Sequence, residues 1–377
     1  MARVHWCGTG LSAIPGLRHL LAERGGVAVW NRRPEKARDA VGDLTDDIRR
    51  FDQGALGAAL APGDLVVSML PADRHQGLAE LCLDRRAHFL SSSYTTEAMR
   101  ALDGAARAAG LAVVNECGLD PGIDHAMAHH LVAAWRAAPG YEPALPVAFT
   151  SYCGGVPAHP NPFRYKFSWS PLGVLRALTS PSRSIRNGAE VTAARPWEAL
   201  SRYTAPLPVP EAFEVYPNRD SLPFMADYGF DPGWPVETFV RGTLRLDGWA
   251  AAWADIFARV ETLDAAGLAA LSDRLWAENA YDPGEPDRVV LCVGLRAGPA
   301  DAPVWHKTHA MDARGDERGS AMARLVSHPL ALAAQMILDG RVGPGVSTVP
   351  SEPHLVAAWM ETVRELAQHL ELVDHRG

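Results

Sequence analysis

The stretch of sequence that decides the fold is VHWCGTGLSAIPGLRHLLAER, residues 4–24. Its first residues are mostly apolar and typical of a buried strand, and those from Ile14 onward have the apolar spacing of a helix. A Gly-x-Gly-x-x-Ala turn joins the two. In that context Gly8 allows a tight turn, Gly10 lets the backbone approach a pyrophosphate, and Ala13 keeps strand and helix close. The stretch therefore predicts a dinucleotide-binding turn.

Short apolar runs alternate with helical stretches through residues 1–123. The runs lie at Val4 to Cys7, Val27 to Trp30, Leu65 to Ser68, His88 to Ser91 and Leu111 to Val114. This alternation is typical of βαβ units. It predicts a Rossmann-type, doubly wound parallel sheet in an α/β domain.

The pattern changes after a helix predicted over residues 124–138. Prolines become frequent, and β-like segments at 147–152, 238–246, 289–295 and 304–311 follow without a regular helix between each pair. The turn signal at Gly298 and Pro299 predicts an antiparallel hairpin between the last two. We therefore predict a second α+β domain with a mixed sheet over 124–319. Helices at 320–338 and 354–370 are expected to pack back on the first domain.

Composition excludes several classes of protein. The chain has 36 Lys and Arg against 44 Asp and Glu, so its net charge of −8 gives no reason to expect nucleic acid or an anionic membrane as partner. Its five cysteines are scattered without CxxC spacing, which argues against disulfides and a zinc site. We see no apolar run near the ~18 residues of a membrane span. A cytoplasmic location is expected.

The choice of dinucleotide is predicted from the end of the second run. An acidic residue there binds the ribose 2′-hydroxyl of NAD, but this chain has Asn31, Arg32 and Arg33. Two guanidinium groups suit a 2′-phosphate. NADP is therefore the predicted cofactor, although NAD stays open, and the alternative is that both arginines are ordinary solvated residues.

Further cofactor contacts are expected where other runs end, because ligands of open parallel sheets gather at the carboxyl ends of the strands. These candidates, with the rest of the glycine turn, are Thr9, Leu11, Ser12, Leu70, Pro71, Ser92 and Gly118.

A segment after the fifth run carries the clearest resemblance to a known family. Residues 115–125 read NECGLDPGIDH, and they resemble a stretch of the saccharopine dehydrogenase (L-glutamate-forming), or saccharopine reductase, family. Six further segments are similar in the same order, at Ser93-Tyr94, 151–157, 165–170, 216–221, 240–245 and 320–324.

The resemblance implies a Rossmann domain, a second domain for substrate binding and dimerisation, and thus a homodimer. It also implies NAD(P)-linked oxidation of the secondary amine of saccharopine to an imine, which hydrolyses to glutamate and α-aminoadipate semialdehyde in lysine metabolism. Arg219 and Arg241 lie in matched segments and are expected to hold carboxylates of this amino-dicarboxylate substrate, because arginine binds carboxylates with two parallel hydrogen bonds. Arg245 and Lys166 are weaker candidates. Surface arginines are the alternative.

The catalytic candidates are Asp120, Tyr94 and Cys153. Asp120 is expected beside the nicotinamide pocket, where a carboxylate can orient the amine and exchange protons. Tyr94 and Cys153 match positions that line the family's substrate site, and Cys153 is expected to form a wall, since hydride transfer needs no nucleophile. Ser93, Gly154 and Tyr165 are further expected substrate contacts.

Other functions are weaker hypotheses. His125 and His129 stand four apart, but Ala126 replaces the glutamate of an HExxH motif, so no metal site is predicted. A related reductase of the carboxynorspermidine dehydrogenase type would need acidic residues for a polyamine. A non-catalytic NADP-binding or scaffold protein is the alternative from another class.

Overall fold

The structure is a computed structural model that describes residues 2–376. The chain divides into two compact units. The first contains residues 2–126 and Ala323–Val363, and the second contains Met127–Met322 and residues 364–376. The segment after residue 363 therefore groups with the second unit, whereas the sequence predicted that it would pack on the first.

Sixteen strands are formed by the described residues. In chain order they are β1 (Val4–Cys7), β2 (Val27–Asn31), β3 (Ile48–Arg50), β4 (Leu65–Ser68), β5 (His88–Ser91), β6 (Ala112–Val114), β7 (Val147–Pro157), β8 (Ser182–Arg186), β9 (Ala189–Ala193), β10 (Ser201–Ala205), β11 (Glu211–Pro217), β12 (Val236–Leu246), β13 (Asp287–Ala297), β14 (Trp305–Arg314), β15 (Gly345–Ser347) and β16 (His369–Asp374).

Fourteen α-helices and two short 3₁₀ turns, at Ala72–Arg74 and Pro196–Ala199, complete the described elements. The helices are α1 (Ile14–Glu23), α2 (Pro34–Val41), α3 (Gln53–Ala59), α4 (His75–Asp84), α5 (Glu97–Arg100), α6 (Asp103–Ala109), α7 (Ile123–Arg136), α8 (Pro171–Leu178), α9 (Pro223–Asp227), α10 (Trp249–Ala252), α11 (Ala254–Val260), α12 (Ala265–Asn279), α13 (Ala321–Leu338) and α14 (Pro353–Leu366).

The sheet of the first unit is parallel throughout and runs in the order β15-β6-β5-β4-β1-β2-β3. Strands β1 and β4 are buried along their whole length, as a sheet covered on both faces requires. The strand order reverses at β1, which places the glycine turn at a topological switch point. The predicted doubly wound parallel sheet is confirmed, and β3 and β15 are strands that the sequence did not predict.

The sheet of the second unit is mixed, with the path β10-β11-β12-β7-β13-β14-β16 and a hairpin of β8 and β9 attached to β12. Strands β12 and β7 are parallel, whereas β13 and β14 form the predicted antiparallel hairpin. Large aromatic side chains, among them Tyr165, Trp249 and Trp253, pack with α8, α11 and α12 in a buried cluster. The prediction of a second, mixed-sheet domain is confirmed.

The prediction of a last helix up to residue 370 is wrong at its end. Helix α14 stops at Leu366, and β16 then pairs antiparallel with β14. Polar and apolar residues alternate in His369-Leu370-Glu371-Leu372, as in a strand with one exposed face. Strand β16 lies at the edge of the sheet and pairs with one neighbour, β14.

Helix α13 has the length and apolar composition of a membrane span, the only described helix that does, with a mean hydropathy of 1.3 over 18 residues. Two-thirds of that window is buried inside the structure. The hydroxyl of Ser327 accepts a hydrogen bond from the Gly16 N–H at 2.8 Å. A helix packed in this way has the character of a domain's core helix.

Candidate functional site: the dinucleotide turn

The glycine turn leaves β1 with a backbone that only glycine adopts easily. Gly8 has a φ of +104°, and a Cβ there would lie 2.9 Å from the carbonyl oxygen of Met69. At Gly10, by contrast, a Cβ would meet no protein atom within 4 Å. The fold therefore requires a glycine at position 8. The protein leaves the space beside Gly10 open, and a backbone that approaches a pyrophosphate needs such a space.

Helix α1 starts directly after this turn and packs closely on α13. A Cβ at Gly16 would lie 2.0 Å from the carbonyl oxygen of Ser327. Ala13, at the start of the helix, is fully buried. The start of α1 directs the positive end of the helix dipole toward the loop that holds Leu11 and Ser12, although Pro15 has no N–H and the Gly16 N–H is bonded to Ser327. The contact with Ser327 has no signal in the sequence, because the two residues lie 311 positions apart.

Substituting Gly10 with Ala should separate folding from ligand binding. The added methyl group meets nothing in the protein, so we expect the thermal unfolding temperature to stay close to that of the wild type. Dinucleotide affinity should fall at least about tenfold, because the methyl group occupies the approach of the pyrophosphate. Isothermal titration with NADP and NAD measures the affinity.

Gly8→Ala serves as the contrasting variant. It forces alanine into a left-handed backbone, which costs about 1–2 kcal/mol, and it clashes with Met69, so its unfolding temperature should drop. A Gly10→Ala protein that binds both dinucleotides as tightly as the wild type would place the pyrophosphate elsewhere.

The end of β2 is joined to the glycine turn through Asn31. Its amide nitrogen donates a short hydrogen bond to the Thr9 hydroxyl, and its amide oxygen accepts from the Arg33 N–H at 3.0 Å. Arg32 and Arg33 are both exposed. The side chains predicted to read the ribose therefore emerge from a segment that Asn31 fixes to the turn.

The other predicted cofactor residues lie near the same edge of the parallel sheet. Leu70 borders Gly8, since a Cβ on that glycine would lie 3.3 Å from a methyl group of Leu70. Pro71 is exposed at the start of the following 3₁₀ turn. Gly118 approaches Ser92 so closely that a Cβ would come within 3.1 Å of the Ser92 Cβ. The fold thus gathers the ends of β1, β2, β4 and β5 with the loop after β6.

Candidate functional site: the Asn115–His125 loop

Two of the three predicted catalytic residues meet in the first unit. The Tyr94 hydroxyl donates a hydrogen bond to Asp120 Oδ1 at 3.1 Å, and both side chains are half-buried. They follow β5 and β6, neighbouring strands whose carboxyl ends share one edge of the sheet. A carboxylate and a phenol in contact can bind an amine and exchange a proton with it.

A buried, hydrogen-bonded pair of side chains supports this loop. His125 Nε2 lies 2.7 Å from Glu116 Oε2, with the two side chains 3% and 2% exposed. The other carboxylate oxygen of Glu116 accepts a hydrogen bond from the Thr95 N–H at 2.8 Å. The backbone N–H of Glu116 donates to the Ser93 carbonyl at 3.1 Å. Glu116 therefore holds the chain on both sides of Tyr94.

The backbone and the acidity of Glu116 fit that structural role. Glu116 has a φ of +61°, a left-handed conformation that is uncommon for residues other than glycine. Burial by itself raises the pKa of Glu116, but the hydrogen bond and charge of His125 and the Thr95 N–H hold it below its ordinary value. Glu116 is thus charged at neutral pH and hydrogen-bonded to His125, a contact that no pattern in the sequence predicts.

We expect Glu116→Gln to lower the free energy of unfolding at neutral pH by about 2 kcal/mol, the scale of buried hydrogen bonds to a charged group. The native pKa of Glu116 lies below its ordinary 4.5, so the stabilisation is complete above that pH and is lost as pH falls through the native pKa. The difference between variant and wild type should therefore shrink in acid. Urea unfolding at neutral and acidic pH measures it.

Glu80→Gln is the matched control, since Glu80 is exposed on α4 and bonds only Gln76 among its described contacts. It should change stability by less than about 0.5 kcal/mol. A Glu116→Gln protein as stable as this control would contradict the structural role.

His125 and His129 have separate surroundings. His125 contacts Glu116, and the ring of His129 packs edge-on against Tyr228. Within residues 2–376, no group of three or more potential metal ligands was found.

Candidate functional site: the second unit

Arg241 lies on β12 and is 3% exposed. Its guanidinium group stacks over the Phe224 ring, 4.0 Å from the ring centre. The backbone N–H of Arg241 donates a hydrogen bond to the Ser221 hydroxyl at 3.0 Å. The alternative of an ordinary surface arginine is therefore wrong for this residue. Arginines are rarely buried to this extent unless they serve a specific contact.

Arg219 lies in the loop before α9 and is exposed, with a φ of +57°. The preceding N–H, that of Asn218, donates to the Arg241 carbonyl at 2.8 Å. The loop with Arg219 is thus fixed to the strand that holds Arg241. The two predicted carboxylate ligands occupy adjoining segments of one unit.

The weaker candidates are already engaged within the second unit. Arg245 is 5% exposed, packs against the rings of Tyr165, Tyr216 and Trp249, and donates to the Tyr216 hydroxyl at 2.9 Å. Lys166 forms an ion pair with Glu285. Stacking and hydrogen bonding give both cations a structural role.

Three other predicted contacts, Cys153, Gly154 and Tyr165, are buried or nearly so. Cys153 pairs with Thr243 across β7 and β12 and is 7% exposed. A Cβ on Gly154 would lie 2.1 Å from the Leu244 carbonyl oxygen, so strand packing alone requires this glycine. Tyr165 is fully buried, and burial raises the pKa of its hydroxyl. Substrate contact by these residues stays a prediction.

Comparison with known proteins

The parallel sheet, its glycine turn and the separate mixed-sheet unit define an α/β protein with a Rossmann-type dinucleotide-binding domain. Comparison with known families supports that class. Residues 9–114 match the saccharopine dehydrogenase NADP binding domain, and residues 118–367 match the saccharopine dehydrogenase C-terminal domain. The chain belongs to the saccharopine dehydrogenase family of oxidoreductases.

Curated relatives agree with this assignment. The chain is 30% identical over 358 residues to the mitochondrial alpha-aminoadipic semialdehyde synthase of Bos taurus. The alignment covers 76% of this chain and 38% of that protein. It is 29% identical over 403 residues to the saccharopine dehydrogenase [NADP(+), L-glutamate-forming] of Saccharomyces cerevisiae, covering 86% and 85%. The chain thus spans less than two-fifths of the length of the mammalian synthases that it matches.

Solved structures show the same architecture. Apo saccharopine dehydrogenase (L-Glu forming) from Saccharomyces cerevisiae superposes with a TM-score of 0.80 at 26% identity, covering 99% of this chain and all of that one. The homospermidine synthase of Legionella pneumophila gives a TM-score of 0.71 at 9% identity, covering 100% and 92%. At that identity the second likeness concerns the fold alone.

Proposed function

We propose that this protein is an NADP-dependent saccharopine dehydrogenase of the L-glutamate-forming type. The observation that carries the proposal is the hydrogen bond between Tyr94 and Asp120 at the carboxyl edge of the parallel sheet, near the glycine turn. Kinship with L-glutamate-forming dehydrogenases supports it. The substrate would be a secondary amine with several carboxylates.

Residues of the first unit suit the cofactor. Gly8, Thr9 and Gly10 form the turn, Leu11 and Ser12 precede α1, and the ends of neighbouring strands supply Asn31, Arg32, Arg33, Leu70, Pro71, Ser92 and Gly118. The open space at Gly10 and the exposed guanidinium groups fit a pyrophosphate and a 2′-phosphate. When bound, NADP⁺ supplies a hydride acceptor.

Asp120 and Tyr94 would manage protons on the substrate. The secondary amine must be neutral before its neighbouring carbon can lose hydride, and Asp120 would take that proton while Tyr94 holds the carboxylate in position. After that proton has passed to solvent, the regenerated carboxylate would take a proton from the water that adds to the imine. Cys153 would form part of the wall of the site rather than attack the substrate.

Arg241 and Arg219 would bind carboxylates of the substrate. Arg241 is the stronger of the two, because a buried guanidinium group makes charge-assisted hydrogen bonds that water does not weaken. Ser93 of the first unit and Gly154 and Tyr165 of the second unit stay proposed substrate contacts.

A spectrophotometric assay tests the proposal. Purified protein with saccharopine and NADP⁺ should form NADPH, and the absence of saccharopine should abolish the signal. No activity with saccharopine and either NADP⁺ or NAD⁺ from about pH 7 to pH 10 would reject it. The same assay with carboxynorspermidine then tests a polyamine reductase, and inactivity with both substrates favours a non-catalytic protein. A homodimer and a cytoplasmic location stay predictions.

A further inference from the structure

Strand β3 places a third arginine beside the predicted site of the 2′-phosphate. In the parallel pairing of β2 and β3, Arg50 is the register partner of Asn31. Neighbouring strands lie about 4.8 Å apart, and register partners project their side chains on the same face of the sheet. Arg50 therefore shares its face with the side chain of Asn31, which is bonded to Thr9 in the glycine turn.

The adjacent residues behave differently. Arg49 pairs with Trp30, so both lie on the opposite face, and the Arg49 guanidinium group stacks 5.2 Å from the centre of the Trp30 ring. Arg49 also makes two hydrogen bonds to Asp47. Asp52, two residues beyond Arg50, caps α3 by accepting from the Ala55 N–H.

Arg32, Arg33 and Arg50 are three cationic residues at the adjoining ends of β2 and β3. All three are exposed, and within residues 2–376 none of their guanidinium groups has a described hydrogen bond or ion pair. Such a cluster is notable in a chain with a net charge of −8. Three like charges repel one another, so their close placement at a ligand edge is favourable when an anion joins them.

We propose that Arg50 is a specificity-determining residue that binds the 2′-phosphate of NADP together with Arg32 and Arg33. The phosphate would then be bound by residues at the ends of two strands, β2 and β3, rather than of β2 alone. This inference rests on the proposed use of NADP and adds a residue to it. Arg50 was not predictable from the sequence, because β3 is only three residues long and carries no apolar pattern.

The test compares the affinity of single variants for 2′,5′-ADP and 5′-AMP, which differ by the 2′-phosphate. Isothermal titration should show Arg50→Gln raising the Kd for 2′,5′-ADP about tenfold and changing that for 5′-AMP less than about twofold. Arg50→Lys should lie between, since it keeps the charge but loses the planar fork. The effect should shrink in high salt, where exposed charges are screened.

Arg49→Gln is the matched control, because it removes the same charge one residue away on the other face. It should leave both affinities within about twofold of the wild type. Thermal unfolding of each variant verifies its fold, and Arg50, being exposed without described contacts, should be replaceable without loss of stability.

These measurements distinguish failure of the role proposed for Arg50 from failure of the proposed use of NADP. If Arg32→Ala weakens 2′,5′-ADP binding and Arg50→Gln does not, the inference is wrong while NADP use stands. An equal effect of Arg49→Gln and Arg50→Gln would also overturn it, because general electrostatics would then explain both. A wild-type protein that binds 2′,5′-ADP no better than 5′-AMP would overturn the proposed cofactor and the inference together.

Discussion

We expect Asp120→Asn to lower kcat for saccharopine oxidation at least about tenfold, which corresponds to about 1.4 kcal/mol of activation free energy. Asparagine keeps the shape of the side chain and can still contact the Tyr94 hydroxyl. It cannot accept a proton from the amine or assist the addition of water. The loss should therefore appear in kcat while the Kd for NADP stays constant.

Steady-state kinetics of saccharopine oxidation provide the measurement. Tyr94→Phe removes the hydrogen bond at 3.1 Å and should reduce kcat less than Asp120→Asn does, because the carboxylate remains. Asp39→Asn, an exposed substitution on α2, should retain wild-type rates. Unchanged turnover in Asp120→Asn would remove Asp120 from the mechanism.

Arg241→Gln should raise the KM for saccharopine about thirtyfold, or about 2 kcal/mol, the range of hydrogen bonds to charged groups. Glutamine retains much of the volume beside Phe224 but has neither the charge nor the fork that binds a carboxylate in two places. Arg241→Lys should recover only part of the affinity, because an ammonium group makes a single-point contact.

Arg241 is buried, so its variants need a check of their folded state. Thermal unfolding supplies it, and an unchanged dinucleotide affinity would show that the first unit, which holds the predicted cofactor residues, is unaffected. The control Arg202→Gln removes an exposed arginine paired with Asp247 and should leave KM unchanged. An Arg241→Gln variant with wild-type KM would exclude Arg241 as a carboxylate ligand.

The fold was predictable where a residue pattern repeats locally. The glycine turn and the five apolar runs of the first domain were each readable within about ten residues, because burial on both faces of a parallel sheet demands continuous apolar strands. Strand β3 was not predicted, because Ile48-Arg49-Arg50 is short and partly exposed. Strand β15 escaped because it returns to the first sheet after the whole second unit.

The candidate site was predictable by residue type and only partly by contact. Tyr94 and Asp120 were singled out separately, but their hydrogen bond joins residues 26 positions apart. The Glu116–His125 pair was missed, since polar residues are ordinarily exposed and nothing in one sequence shows that two of them are buried together. The burial of Arg241 was undetectable for the same reason.

The most direct test of the central claim is the identity of the products. Saccharopine contains two carbons next to its secondary amine from which hydride could be removed, and the choice between them decides which amino acid is released. Incubation with saccharopine and NADP⁺, followed by mass spectrometry, should yield glutamate and α-aminoadipate semialdehyde in amounts equal to the NADPH formed. Lysine and 2-oxoglutarate as products, or unchanged saccharopine, would contradict the account.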